Sequence, residues 1–153
     1  MTTKPKIKIV DNEKLRFEID KIYEQSSQVI VVSWAIKIAK HILNIVRIDY
    51  RFINEIVEGF DIVEQWKSGK VIMHELRQAG FKIHKLAREV KDDTLKNVYR
   101  VIGQAVSSGH MKEHAIVASD YAVKVIGLLS SNSIESIEEE RQWQLQELMK
   151  LIE

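Results

Sequence analysis

The sequence predicts an all-α fold, a bundle of about six helices arranged as antiparallel pairs, and three observations predict it. Apolar residues recur at three- and four-residue intervals through successive segments, the period of a helix with one buried face. The single proline, Pro5, precedes those segments and only six glycines occur, so little interrupts long helices and a turn-rich all-β architecture is excluded. A chain of 153 residues, 45% of them hydrophobic, suits one globular domain that buries about two thirds of its unfolded surface.

Residues 1–10 read as a flexible N-terminal tail and residues 11–153 as the helical domain. Asp11 or Asn12 offers a capping oxygen for a first helix with Leu15, Ile19 and Ile22 on one stripe, fading at Ser26-Ser27. A second segment, about 28–48, aligns Trp34, Ile38, Ile42 and Ile45, although the β-branched run at its start also suits a strand. A third helix from about Arg51 carries Ile53, Ile56, Phe60 and Val63, and Ser68-Gly69 supplies a left-handed stop. The fourth runs from about Met73 to Val90 through Leu76, Gly80, Ile83 and Ala87, before new capping oxygens at Asp92-Asp93-Thr94. From Leu95 to Leu129 the helical period persists, either as one long helix or with a break at Ser107-Ser108-Gly109. Asn132 and Glu135 stand in capping-box positions for a last helix through Ile137, Leu145, Leu148 and Ile152. Its acidic run Glu138-Glu139-Glu140 falls in the first turns, where the helix dipole favours negative charge.

Charge and composition narrow the function classes. Lysine and arginine number 23 against 22 acids, so the net charge of +1 provides no global field for nucleic acid or an anionic membrane. The apolar run Val29 to Ile36 falls short of the roughly 20 residues of a spanning helix and reads as core. Met1 to Lys8 is basic but lacks a following apolar region and cleavage site, so no secretory signal is visible. With no cysteine there is no disulfide framework and no thiolate nucleophile, and a cytoplasmic location is the expectation.

The sharpest local signal is His110-Met111-Lys112-Glu113-His114, two imidazoles four apart that would share a helical face. That spacing can bind zinc, with Glu113 as a general base, provided a third ligand such as Glu138, Glu139, Glu140 or a distant histidine folds back. Chance pairs of this kind are common among five histidines, so a metal-dependent hydrolase is the alternative reading rather than the first. His84 can meet His110 or His114 across a helix interface, with Tyr121 and Lys124 further along the same face. The plain alternative is that each imidazole merely bonds a neighbour. His41 and His74 lack partners in sequence and read as surface residues. Trp34, Trp66 and Trp143 lie near apolar stripes and read as core or helix-packing residues. Lys82, Lys85, Arg88 and Lys91 form a basic row without aromatic interleaving, which reads as a solvated face. No phosphate loop, nucleophile elbow or serine-lysine pair appears, and no cofactor is expected.

The ordered series Trp66-x-x-Gly69, Ala79, Phe81, His84, Ala87-Arg88-Glu89, Gly103, His110, His114, Tyr121-Ala122-x-Lys124 resembles the putative immunity proteins with an Imm-5-like domain. Glu140-Arg141-Gln142-Trp143-Gln144-Leu145 is similar to that family's closing segment, and the likeness spans about residues 33–148. Two departures stand out: Gln104 occupies the place of the family's histidine after the glycine, and Glu55, Ile56 and Val57 fall near its Arg-Pro-Arg stretch. The resemblance implies an all-helical bacterial protein, not an enzyme, that binds and neutralises a cognate toxin. Its polar cluster would be His84, His110, His114, Tyr121 and Lys124. Neither a membrane nor a nucleic acid is an expected partner, and a homodimer is compatible with the sequence.

Overall fold

The computed structural model describes residues 3–153; Met1 and Thr2, part of the segment read as a flexible tail, lie outside the described residues. The first helix, α1 (Glu13–Gln25), begins where the sequence offers its cap, with the Asn12 side chain accepting from the Leu15 N–H at 3.0 Å. Ser26 ends it, its hydroxyl bonding back to the Ile22 carbonyl at 2.7 Å. Ser27 caps α2 (Gln28–Ile45) by accepting from the Ile30 N–H. The β-branched run that fitted helix or strand is therefore helical, and no strand occurs among the described residues. Burial decides it: Val31, Val32, Trp34, Ile38 and Ile42 are fully enclosed, and tertiary packing overrides a weak strand preference.

A short 3-10 turn, Tyr50–Phe52, leads into α3 (Asn54–Lys67). Gly69 stops α3 as the sequence predicts, at φ 73°, which lets the Lys70 and Gly69 N–H groups reach back to the Gln65 and Trp66 carbonyls, each at 2.9 Å. Next comes α4 (Met73–Glu89), and Asp92 then caps α5 (Asp93–Ser107) by accepting from the Leu95 N–H at 2.8 Å.

The 95–129 segment does break, giving α6 (Glu113–Ser130) and, among the described residues, seven α-helices in place of about six. Ser107 and Ser108 turn their hydroxyls onto the Gly103 and Ala105 carbonyls, competing with the next helical turn. The Gln28 amide donates to the carbonyls of Ser108 and Gly109 at 3.1 and 2.9 Å, so the frayed end is satisfied by α2.

The last helix, α7 (Ile134–Ile152), is capped by Ser133, whose hydroxyl accepts from the Ser136 N–H, and not by Asn132. Ser131 and Asn132 both adopt left-handed backbone, at φ 54° and 59°, so the turn consumes one residue more than the capping-box reading allows.

From α3 onward each helix packs on the next through a short connection, as antiparallel neighbours do, with α4 and α5 forming the most extensive pair. Exceptions frame the bundle: α1 packs on α7, closing the two ends of the chain together, and α2 lies against α5, α6 and α7. By length and composition α2 could cross a membrane, with a mean hydropathy of 1.3, yet half of it is buried inside the bundle. It is the central helix of one contiguous apolar core. Residues 3–12 carry no helix and run beside α1, with Ile9 against the core and the Thr3 N–H donating to Asp20 Oδ2 at 3.0 Å.

Candidate functional site

The polar residues singled out by sequence lie along the junction of α4, α5 and α6. His84 projects from α4 onto the backbone of α5, so close to Gly103 that a Cβ there would sit 2.7 Å from its Cε1 and 2.8 Å from its Nδ1. Only glycine admits that approach. Arg100, one turn earlier on α5, donates from Nη1 to His84 Nδ1 at 2.9 Å, so the imidazole is neutral with its proton on Nε2. On α6, His114 is bonded through Nδ1 to Gln104 Oε1 at 2.7 Å. The glutamine that departs from the family pattern thus supplies the acceptor for this histidine. Tyr121 and Lys124 lie further along α6 and line a cleft shared with Arg100 and the N-terminal segment. Arg100 therefore joins the two halves of the predicted cluster, bonding His84 on one side and lining that cleft on the other.

Burial and the neighbouring charge of Arg100 push His84 down to about 4 from an ordinary value of 6.5. His114 is lowered too, by burial and then by His110, against an opposing pull from Glu113. Both imidazoles are held neutral, and protonation favours the unfolded chain wherever its histidines take up protons first. Stability is therefore expected to be fully present above pH 6.5 and to fall as the pH drops towards 4. Denaturant midpoints measured across that interval check it, and His84→Gln should flatten the slope.

The structure does not place His110 and His114 as the metal reading assumes. His110 is not helical: it lies in the turn between α5 and α6, and α6 begins only at Glu113, so the assumed shared face is absent. Its ring is 6.3 Å from that of His114, centroid to centroid, and its buried Nδ1 has no hydrogen-bond partner among the described residues. The expected third ligand does not arrive, because Glu140 is engaged elsewhere and Glu138 and Glu139 are exposed on α7. Among the described residues no group of three histidine, aspartate or glutamate side chains could hold a metal ion.

Sequence reasoning missed a buried ionic network that joins α6 to α1, α7 and Asp11. Arg141, fully buried on α7, donates to both Asp11 oxygens at 2.8 and 2.9 Å and to Asp120 Oδ1 at 2.7 Å. It also reaches Gln144 Oε1 at 2.9 Å and Ser119 Oγ at 3.3 Å. Arg16 on α1 grips the same Asp120 through Nε and Nη2, at 2.8 and 3.2 Å, and reaches Asp20 and Thr3 with Nη1. Burial pulls the Arg141 guanidinium down, but the hydrogen bonds and charges of Asp11 and Asp120 outweigh it and push it above its ordinary value.

The network continues through Gln144, which donates to Glu140 at 2.8 Å, to His41, whose Nε2 lies 2.8 Å from Glu140 Oε1. His41 is consequently not a free surface residue. Its ring stacks on Trp143 at 3.6 Å and 12°, and it is half-buried, whereas His74 is exposed as expected. Of the tryptophans, Trp34 is wholly core and donates from Nε1 to the Gln144 carbonyl at 2.9 Å, while Trp66 and Trp143 are half-buried against it. One signal could have found this network: Glu140, Arg141 and Gln144 all belong to the segment that resembles the family's closing motif.

Fold and site together place the chain in the class of all-helical bundles, here with His84 and His114 held against α5 and an ionic network tying α1 and Asp11 to α6 and α7. Within that class the chain belongs to the Imm-5-like putative immunity protein family, whose pattern matches residues 21–151, most of its length. No curated protein and no solved structure shows significant similarity to it.

Proposed function

We propose that this chain is a bacterial immunity protein that binds and neutralises a cognate toxin in the cytoplasm, without turnover, through the face carrying His84, His110, His114, Tyr121 and Lys124. Family membership across residues 21–151 carries the reading. Two features of the site support it. Two histidines of this face are held by specific bonds, His84 to Arg100 and His114 to Gln104, so their positions are set before a partner arrives. Moreover His110 lies in the turn before α6 and shares no helical face with His114, the arrangement that the metal-dependent alternative requires.

A masking interface should bury on the order of 1,600 Å² in total. Co-expression with the toxin encoded beside it should restore growth, and the two purified chains should co-elute in gel filtration. Persistent toxicity with no complex for any neighbouring candidate rejects the proposal.

A further inference from the structure

The cleft between α5, α6 and the N-terminal segment has a volume of about 340 Å³ and is lined by Lys8, Lys96, Arg100 and Lys124 around Tyr121. One carboxylate, Asp93, shares the lining. Among the described residues none of the four cations is paired with an acid. Arg100 bonds the neutral His84, Lys124 Nζ lies 3.4 Å from the Lys8 carbonyl oxygen, and Lys8 and Lys96 have no side-chain partner. Asp93 is already an acceptor for the Asn97 amide. The cleft thus contrasts with the basic row on α4, where Lys82 meets Glu58 at 3.6 Å and Lys85 meets Glu89 at 3.9 Å.

Like charges brought together repel, and Lys96, Arg100 and Lys124 are half-buried, so solvent screens them less than it would on an open surface. An anion entering the cleft relieves that repulsion. Arg100 is suited to hold a carboxylate, because His84 engages only Nη1 and leaves the remaining N–H groups of the planar fork for bidentate bonding. His84 is then a positioning residue. Being neutral, it accepts from Arg100 and adds no competing positive charge of its own. Tyr121 adds a rigid aromatic surface beside the cations, and tyrosine and arginine are the residue types that anchor protein interfaces. A phosphodiester strand would instead call for a continuous basic track with several stacking rings, and this lining has a single ring.

We infer that the cleft of Lys8, Lys96, Arg100 and Lys124 is the docking site for an acidic patch on the toxin, its carboxylates seated on Arg100 and the lysines. The inference rests on the toxin-binding reading and specifies the chemistry of the partner.

The test compares Lys96→Glu/Lys124→Glu with Lys82→Glu/Lys85→Glu, pairs of identical net charge, in binding to the co-purifying toxin at low and high salt. Circular dichroism confirms that both variants fold. The cleft pair should weaken binding about tenfold or more at low salt, mainly through association, with the gap narrowing as salt rises, while the α4 pair stays within about twofold of wild type. Equal weakening by both pairs, or by neither, overturns the docking site and leaves toxin binding intact. Absence of a complex with the wild-type chain rejects the proposed function, and the inference with it. If the wild-type chain prefers a single-stranded oligonucleotide to the toxin, and the cleft pair abolishes that preference, the partner is nucleic acid and the acidic-protein assignment is wrong.

Discussion

Arg141→Ala is expected to destabilise the fold by about 3 to 5 kcal/mol, the usual cost of removing one member of a buried ionic set. The size follows from what would be left behind. Asp120, itself buried, would keep only Arg16 as a cationic partner, and Asp11 would lose both guanidinium bonds that tie the N-terminal segment to α7. Gln144 and Ser119 would each lose a donor in a place closed to water. Arg141→Lys should recover only part of the loss, because one ammonium cannot span Asp11, Asp120 and Gln144 as the planar fork does. Urea denaturation of the three proteins measures this, and a change within 1 kcal/mol for the alanine variant would show that the network contributes little net stability.

Trp34→Ala should cost a similar amount, about 3 to 5 kcal/mol, for a different reason. Its indole is completely buried on α2, the helix that α5, α6 and α7 all touch, so truncation opens a cavity where the bundle can least collapse. The Nε1–H bond to the Gln144 carbonyl is lost as well. Trp66→Ala should cost less, because that ring is half-buried at the end of α3. Reversal of this order in denaturant midpoints would contradict the assignment of the core to α2.

The fold was legible because its causes are local. Asn12 and Asp92 cap helices from positions adjacent to them, and Gly69 ends α3 by its own backbone freedom. Where the cause is tertiary the sequence misleads. Val29 to Ile36 has strand-forming side chains and is helical because it lies at the centre of the bundle. Ser133 rather than Asn132 caps α7 because two left-handed residues shape the turn before it.

The site divides along the same line. Its residue types were visible, and so was their order along the chain, but the i,i+4 spacing of His110 and His114 carries no shared helical face once a turn falls between them. The ionic network joins Arg16 to Asp120 and Asp11 to Arg141, pairs 104 and 130 residues apart, and no periodicity reports such a meeting. The cationic cleft likewise depends on Ile7 and Lys8 lying against α5 and α6, which places Lys8 beside Lys124.

Titrating the toxin's activity with increasing amounts of this protein tests the central claim, neutralisation by masking, most directly. Masking predicts a loss proportional to the amount added, complete at a fixed molar ratio, with full activity recovered when the chains are separated under denaturing conditions and the toxin is refolded. Progressive inactivation by a small fraction of an equivalent, leaving a covalently altered toxin, would contradict it.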